Sequence, residues 1–535
     1  MTEAVGGPVA LLSILVVVVP ILAAVLPLAF GRLSDSVGVG VALVASAVNA
    51  VIASVLAWVT LSGGERIVTE IGGFPASQGG IELAVDGMSA VVVALIAVVG
   101  FAVAVASLDD RRQNTFYSLY LLLVAGLSGV CVTGDVFNMY VFLEISGLTA
   151  YALIASDGTG RSALAALKYL IVGTVGASLY LIGIGYAYVS TGVLNMYDLS
   201  ELLAEVGYAD PLVLSAFAFM ATGFAIKIAL FPLHTWQPDA YTEAPDRVTA
   251  LIAALVSTTA AYALARIVFT VFTVEFFATN PIVQQALLAI AATSVVAGSV
   301  LAVIQTRVKR MLAYSSVAQF GLVVLGIGLL EEFALVGAII HLVGHAIIKG
   351  GLFLGVAVFA GALGATTVDD YDGLGERAPY TSAAFAVLAI SLVGVPPTVG
   401  FVGKLYIAIG AVNEGAWPLV AVIVVSTVLT LGYVLRLLER MYFTSPASLE
   451  GATPAAADGG EPPSSSSSSA STSGSDGGSD SASGATPAPG PAASHHPGPA
   501  IVAVVIVAAV ASLVLGFAGA GIESILEPTV NTLFD

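Results

Sequence analysis

The chain has 535 residues, of which 58% are hydrophobic and only 10% are charged, and its formal net charge at pH 7 is −18. Because soluble domains contain about 25% charged residues, this composition excludes a soluble globular protein and indicates an all-α polytopic membrane protein. The one cysteine, Cys131, excludes a disulfide framework and a thiolate metal cluster. An acidic chain with five lysines is typical of a halophile, and an acidic partner-binding surface is the alternative.

Fourteen apolar segments are long enough to cross a bilayer, which takes about 20 residues in a helix. The first follows Glu3 and no basic residue, so we expect a retained span and not a cleaved signal peptide. The predicted spans lie near residues 8–30, 36–62, 87–107, 115–132, 134–156, 164–190, 212–232, 248–273, 281–305, 312–329, 334–363, 380–409, 417–443 and 499–520.

Basic loop residues fall almost entirely on one side of this fourteen-span map, and only Arg66 falls on the other. By the positive-inside rule the basic side is the cytoplasm, so both termini of this multi-pass cell-membrane protein are predicted to be extracellular. The ten residues on the cytoplasmic side are Arg32, Arg111, Arg112, Arg161, Arg247, Arg307, Lys309, Arg310, Arg377 and Arg440.

The span pattern also suggests a domain organisation. The Ser-, Gly-, Pro- and Asp-rich segment after span 13 cannot bury a core and is predicted to be a disordered cytoplasmic linker. His495 and His496 within it lack the further ligands that a metal site needs. The predicted parts are an N-terminal three-span segment (1–107), two five-helix units (108–273 and 274–443), the linker (444–498) and a C-terminal span with its tail (499–535).

Two spans contain prolines that should break the helix. Pro232 follows Lys227 in span 7, and Pro397 precedes Lys404 in span 12. Interrupted helices at corresponding places in two halves indicate a transport site near the middle of the membrane. Because the two spans are five apart, an odd number, spans 4–8 and 9–13 are predicted to be inverted copies of one five-helix unit.

Four of the five lysines lie within predicted spans: Lys168, Lys227, Lys349 and Lys404. A buried lysine can take up and release a proton, which an arginine cannot, so proton transfer is the predicted use. Lys227 and Lys404 lie too deep to reach the interface, whereas Lys168 either extends to it or joins the relay. Arg266 is predicted to be a structural ion-pair partner.

Span 11 carries His341, His345 and Lys349 at intervals of four residues, which places all three on one helical stripe. Titratable groups one turn apart and bridged by water make a proton wire. A zinc site is the weaker alternative because neither a glutamate between the histidines nor a third ligand is present.

Glu144 lies within span 5, where a carboxylate costs roughly 3 kcal/mol or more. We predict that it is the counter-charge of a buried lysine, Lys227. Neutralising or displacing the carboxylate would then release the proton of the lysine. The alternative is a purely structural ion pair.

Six stretches between about residues 84 and 443 carry a family resemblance: GDVFNMYVFLEI, ALKYLIVGTVGASLYLIGIGYAYVSTGVLNMYDLS, KIALFPLHTWQPDAYTEAP, VKRMLAYSSVAQFG, HLVGHAIIKGGLFL and GVPPTVGFVGK. The chain resembles the large proton-antiporter-type subunits shared by respiratory complex I, membrane-bound hydrogenases and Mrp multisubunit sodium/proton antiporters. Among these it most resembles the D subunit of the Mrp antiporter.

The resemblance implies roles for individual residues. Glu144 and Lys227 match the carboxylate–lysine pair of the family, and Lys404 matches its terminal lysine. The stripe of span 11 matches the central relay. Two positions depart from the pattern: Thr258 stands where a lysine is common, and Tyr241 where a histidine is common. The further candidates for a relay or structural role are Lys168, His234, Thr258 and Arg266.

The predicted function is a proton-translocating subunit of a multisubunit antiporter that exchanges external protons for cytoplasmic sodium or a similar monovalent cation. Its predicted partners are other hydrophobic subunits; no cofactor, metal or nucleic acid is expected, and the chain is predicted not to be an enzyme. The alternative is a proton-pumping membrane subunit of a complex I-like NADH/quinone oxidoreductase or a membrane-bound hydrogenase. A third possibility is an assembly scaffold whose relay has decayed at Thr258.

Overall fold

The structure is a computed structural model that describes residues 8–31, 34, 36–63, 66–71, 80–109, 112–444 and 498–534. Within these residues, thirteen helices are long and apolar enough to span a membrane, and two shorter apolar helices lie where the broken span 12 was predicted. The prediction of an all-α polytopic protein with about fourteen crossings is confirmed. The predicted linker, apart from its two end residues, lies outside the described residues, as do His495 and His496.

The N-terminal part consists of three long helices and a short β-hairpin. The hairpin lies where the sequence indicated only a loop, and its strands are antiparallel with Ile67 opposite Val85. Asp86 follows the second strand and caps the third helix by accepting a hydrogen bond from the Ser89 backbone N–H. The elements are α1 (Pro8–Phe30), α2 (Val37–Gly63), β1 (Ile67–Ile71), β2 (Ile81–Val85) and α3 (Gly87–Ala106).

The first five-helix unit has its break in the fourth crossing. The helix α8 ends at Ile228, and Pro232 lies in the non-helical stretch before α9. The short α7 connects the third crossing to the fourth, and α6 packs against α8. The elements are α4 (Asn114–Val132), α5 (Val136–Ile154), α6 (Gly160–Thr191), α7 (Met196–Val206), α8 (Pro211–Ile228), α9 (Trp236–Glu243), α10 (Asp246–Arg266), a π-helical segment (Ile267–Phe272) and α11 (Thr273–Thr279).

The last crossing of this unit is longer than predicted. Together α10, the π-helical segment and α11 run from Asp246 to Thr279, whereas the sequence predicted residues 248–273. No proline or glycine interrupts the chain before Pro281, so the helix continues. The predicted boundary between the two units, at residue 273, therefore falls inside a crossing.

The second five-helix unit repeats the order of the first, with the break again in its fourth crossing. Here Gly394 ends one half-helix with a φ of 87°, and Pro396 and Pro397 precede the other. In this unit α14 packs against α17. The elements are α12 (Pro281–Val303), α13 (Val308–Gly328), α14 (Glu332–Leu363), α15 (Leu374–Arg377), α16 (Pro379–Val393), α17 (Val399–Asn413) and α18 (Trp417–Phe443).

Contacts between loops agree with the predicted sides of the membrane. Leu83 and Thr133 form a β-bridge, and both lie in loops on the side of Arg66. Arg307 and Thr367 form another, and both lie in loops on the basic side. Each contact requires an even number of crossings between its two partners, and two helices lie between them in both cases, as the fourteen-span map predicts. After the linker, α19 (Pro499–Phe517) is the last crossing and α20 (Gly519–Phe534) follows it.

Candidate functional site

Glu144 and Lys227 form a buried ion pair beside the first helix break. Lys227 lies in the last turn of α8, and its Nζ is 3.1 Å from Oε1 of Glu144 on α5. The lysine side chain is 6% exposed and the glutamate side chain 20%. The C-terminal end of a helix favours a cation, so both the carboxylate and the end of α8 stabilise the ammonium group.

A glycine leaves room for this pair. A Cβ at Gly147 on α5 would lie 3.2 Å from Nζ of Lys227 and 3.1 Å from the hydroxyl of Tyr151. That hydroxyl is buried and has no hydrogen-bond partner within the described part of the chain. The site therefore contains a polar group, besides the carboxylate, that the protein itself does not satisfy.

The three titratable residues on α14 are all buried and lie against α13. His341 Nε2 is 2.8 Å from Oε1 of Gln319, and Lys349 donates hydrogen bonds to the Leu312 carbonyl, at 2.7 Å, and to the Ser315 hydroxyl. Both ring nitrogens of His345 are buried and have no hydrogen-bond partner among the residues that the structure describes. In the described part of the chain, α13 thus forms hydrogen bonds with His341 and Lys349 but not with His345.

Lys404 lies on α17, in the second turn after the second break. Its Nζ donates to the carbonyls of Leu392, at 3.2 Å, and Val393, at 2.9 Å, which are the last two residues of α16. Free carbonyls at a helix end attract a cation. A Cβ at Gly403 would lie 2.7 Å from Cα of His341, so α17 meets α14 at the level of this histidine.

Lys168 takes a different position from the other predicted relay lysines. It is half exposed, and its Nζ is 2.8 Å from Oδ2 of Asp239 on α9. Arg310 binds the other oxygen of Asp239, also at 2.8 Å. Burial by itself raises the pKa of Asp239, but the hydrogen bonds from Lys168 and Arg310 outweigh it and hold that pKa below its ordinary value. The sequence showed no pattern that singled out Asp239.

Two of the remaining candidates, Thr258 and His234, lie in different environments. Thr258 is fully buried, and its hydroxyl donates to the Ala254 carbonyl at 2.6 Å. His234 lies in the break after α8, where its ring packs against Phe231 and Tyr314.

Arg266 is also buried and binds Asp86, a partner that the sequence did not reveal because 180 positions separate them. Its environment belongs to the face of the protein that carries the hairpin.

The helix α10 connects the two lysine sites. Ser257 donates a hydrogen bond to the Lys227 carbonyl at 3.4 Å. One turn away, Ala254 lies against Gly350 on α14, where an added Cβ would be 3.6 Å from the Ala254 Cβ. Gly350 is the neighbour of Lys349 in the chain, so a single helix spans the distance between the pair at Lys227 and the stripe on α14.

Comparison with known proteins agrees with this architecture. Residues 133–430 match the family model described as NADH:quinone oxidoreductase/Mrp antiporter, TM. The chain is 43% identical over 439 residues to the N subunit of NADH-quinone oxidoreductase from Desulforudis audaxviator, and the match covers 81% of this chain and 86% of the relative. It is 32% identical to the D subunit of the Na(+)/H(+) antiporter from Bacillus subtilis, over 75% of this chain and 80% of the relative.

Solved structures show the same fold. A chain of the membrane-bound sulfane sulfur reductase, an archaeal respiratory membrane complex, matches with a TM-score of 0.83 and 28% identity over 98% of both chains. A chain of the Mrp complex from Dietzia sp. DQ12-45-1b also matches with a TM-score of 0.83 over 98% of both chains. Its 23% identity supports likeness of fold alone.

One prediction is wrong. The chain was predicted not to be an enzyme but a secondary transporter subunit, with a redox-driven complex as the alternative. The relative with 43% identity is a subunit of NADH-quinone oxidoreductase, and another with 31% identity is the N subunit of an F(420)H(2) dehydrogenase. These are redox enzymes, in which the related chain is a membrane subunit. The error arose because the motifs of the chain are shared by antiporter subunits and by subunits of redox enzymes, as the relatives show.

The predicted resemblance is confirmed, because the family model covers more than half of the chain and relatives above 30% identity cover most of it. The chain is therefore an antiporter-like, proton-translocating membrane subunit, and the proteins it resembles are subunits of multisubunit membrane complexes. The chain belongs to the NADH:quinone oxidoreductase/Mrp antiporter transmembrane family.

Proposed function

We propose that the chain is the proton-translocating membrane subunit of a redox-driven complex of the NADH–quinone oxidoreductase kind, in which other subunits transfer the electrons. The support is a relative named as the N subunit of such a complex with 43% identity, whereas two relatives named as the D subunit of an antiporter have 32% and 34%. The proton is the only ion that this proposal requires.

The ion pair between Glu144 and Lys227 is the observation that carries the proposal. A charge pair within a crossing is costly and marks an ion pathway. Here it stands beside a helix break, with Nζ and Oε1 3.1 Å apart. Neutralising or withdrawing Glu144 leaves the Lys227 ammonium without its counter-charge, so the lysine gives up its proton.

The proposed path then crosses from one unit to the other. From Lys227 the proton passes along α10, where Ser257 contacts the Lys227 backbone, to the stripe of His345 and Lys349 on α14. It continues through His341 to Lys404, which lies on the helix that meets α14 at His341. Water between the titratable groups completes each step.

Lys168 is proposed to act at the entrance and not in the relay. Its partner Asp239 lies on α9, directly after the break that follows Lys227. An exposed charge there attracts ions from the adjoining solution. Thr258 holds no charge, so it takes part only by hydrogen bonding.

Purification of the intact complex in mild detergent at high salt, followed by mass spectrometry of the chains that accompany it, tests the assignment. We expect iron–sulfur or quinone-reducing subunits, and we expect NADH oxidation by a quinone to drive protons across the membrane of vesicles that contain the complex. Partners that are all small hydrophobic antiporter subunits, with a pH change driven by added sodium instead, would contradict the proposal and establish the Mrp-type alternative.

A further inference from the structure

A cavity of about 770 Å³ opens on the face of the protein that carries the β-hairpin. Its rim includes the exposed side chains of Glu201, Glu275 and Thr532, from α7, α11 and α20. Its floor includes Arg266 and Thr270, which are only 4% and 8% exposed. The cavity, here called the hairpin-side vestibule, therefore leads from the surface to a buried charge.

The floor of the vestibule is a hydrogen-bonded network centred on Arg266. The guanidinium binds the carboxylate of Asp86, the hydroxyl of Ser89 at 3.0 Å, the hydroxyl of Tyr262 at 2.9 Å and the hydroxyl of Thr270 at 3.3 Å. Thr270 belongs to the π-helical segment that directly follows Arg266. Segments of this kind are frequent at functional sites because they turn side chains out of the regular helical register.

A polar stripe on α10 leads inward from this network. Thr258, Tyr262 and Arg266 follow one another at intervals of four residues and so lie on one face of the helix. Two contacts show which residues of the antiparallel α14 lie beside this polar stripe of α10. Tyr262 shares a small apolar cavity with Leu342, and Ala254 lies against Gly350.

Thr258 lies between these two contacts along α10, and His345 lies between them along α14. His345 is the member of the stripe whose ring nitrogens have no partner among the described residues. The polar side chains of α10 thus end at the level of His345, the buried histidine for which neither ring nitrogen has a partner among the described residues. A small cavity beside Tyr262, which Met88 of α3 and Leu342 of α14 also line, adjoins this stretch of α10.

We propose that the hairpin-side vestibule is a water-filled branch of the proton path, and that the Arg266 network and Tyr262 connect it to His345. This inference rests on the proposed function, since it assigns a second opening to the same relay. A proton that leaves His345 moves along water molecules that the Thr258 and Tyr262 hydroxyls hydrogen-bond, and it reaches bulk water in the vestibule. Arg266 stays charged throughout, and it positions the Tyr262 hydroxyl.

Thiol labelling tests the vestibule directly. The chain has a single cysteine, Cys131, which is fully buried, so the background is low. Ser200→Cys at the rim and Thr270→Cys on the floor are exposed to a membrane-impermeant cationic methanethiosulfonate in vesicles that contain the complex. Thr174→Cys, which faces the outside of the bundle within α6, is the matched control.

Two further variants report the side of the membrane: Glu414→Cys in the loop on the vestibule face, and Glu376→Cys on the opposite face. We expect Ser200→Cys and Thr270→Cys to react only from the side that labels Glu414→Cys, about tenfold faster than Thr174→Cys, because a thiol in water ionises and one in lipid does not. Modification of either should reduce proton translocation about tenfold.

Labelling of both variants no faster than Thr174→Cys would overturn the inference, and so would complete modification that leaves translocation unchanged. If the complex does not assemble with Thr270→Cys, the labelling of Ser200→Cys by itself tests the vestibule, because Ser200 lies outside the Arg266 network. The labelling rates do not depend on what drives the complex. A failure of redox-driven pumping would therefore contradict the proposed function. The existence of the vestibule would still be tested by the labelling rates.

Tyr262→Phe tests the connection to His345. We expect it to reduce proton translocation about tenfold while assembly and the labelling of Ser200→Cys stay normal. The ring remains, and the group lost is the hydroxyl that donates to the Cys131 carbonyl and accepts from Arg266.

Tyr180→Phe is the control, because that tyrosine is equally buried and its hydroxyl also donates to a backbone carbonyl, that of Val136, at 3.1 Å. Equal translocation by the two variants would remove Tyr262 from the path.

Discussion

At the scale of single residues, the three deepest lysines differ in what stabilises their charge. Lys227 has a carboxylate, Lys349 has a hydroxyl and a carbonyl, and Lys404 has two carbonyls at a helix end. A full negative charge can itself be neutralised, whereas a carbonyl dipole cannot. Among these three lysines, only Lys227 therefore has a partner whose charge can be neutralised to release the proton. Glu144 is for this reason the first residue to substitute.

Glu144→Gln keeps the size of the side chain and removes its charge. We expect proton translocation to fall about tenfold or more, because the Lys227 proton loses the group that holds and releases it. Reconstituted vesicles measure the rate, and Glu332→Gln, an exposed carboxylate at the start of α14, is the control. A variant that loses thermal stability but translocates protons at the normal rate would instead make the pair purely structural.

At the scale of elements, the lysines of the two broken crossings lie on opposite sides of their breaks. Lys227 lies at the end of α8, before the break, and Lys404 lies near the start of α17, after the break. Lys404 turns back to the free carbonyls at the end of α16, so both ammonium groups meet the C-terminal end of a half-helix. Interrupted helices provide such ends within the membrane, where an intact helix has no free carbonyls to offer.

Three ion pairs connect the end of the first break to the second unit. Arg310 lies 2.8 Å from Asp239, Arg307 lies 2.8 Å from Glu243, and Lys309 lies 2.7 Å from Asp246. All three basic residues lie at or next to the start of α13, the helix that also binds Lys349 and His341. A movement of α9 therefore acts on the helix that holds the central relay.

Asp239→Asn removes the carboxylate shared by Lys168 and Arg310. We expect a lower melting temperature at pH 6–7 and slower proton translocation, because α9 loses two charged contacts with its neighbours. The control is Glu376→Gln, an exposed carboxylate on the same face. An unchanged melting temperature would show that these pairs do not stabilise α9.

The difference in melting temperature between the wild type and Asp239→Asn should depend on pH, because the pKa of Asp239 is lowered from its ordinary value of 3.8. A carboxylate with a lowered pKa in the folded state stabilises the protein above the ordinary pKa, and this stabilisation is lost as the pH falls through the folded-state value. The melting temperatures of the wild type and Asp239→Asn should therefore differ by a constant amount above about pH 5 and converge below about pH 4.

At the scale of the whole molecule, the central helices belong to both units at once. The helix α10 is buried from Val248 to Arg266, and it packs against α14 of the second unit as well as α8 of the first. The α14 helix in turn packs against α13 and α17. The proposed path from Lys227 to Lys404 thus needs both units, and a change in one should stop transfer that begins in the other.

Lys404→Met tests this dependence with a side chain of similar length. We expect proton translocation to be abolished although the ion pair at Lys227 and the assembly of the complex are unaffected, because the last titratable group of the path is gone. Arg377→Ala, an exposed basic residue, is the control, and co-purification of partner chains measures assembly. Normal translocation by Lys404→Met would contradict a path that passes through both units.

The sequence by itself determined the class of the protein, the number of crossings, the two breaks and the positions of the buried charges. These are local signals: the length of an apolar run, a proline within a helix, or a lysine in a span shows the same pattern whatever packs against it. The shared motifs likewise placed the chain in its family. The β-hairpin was missed because its two short strands are marked only by their pairing with each other.

Only the tertiary structure decided which side chains meet. Asp86 with Arg266, Asp239 with Lys168 and Arg310, and Gln319 with His341 are all distant in sequence. Such contacts depend on how the helices cross and rotate, and the hydrophobic pattern sets this weakly in a helix that is apolar on every side. The π-helical geometry of Ile267–Phe272 was hidden for the same reason: the packing that stabilises it lies outside its own sequence.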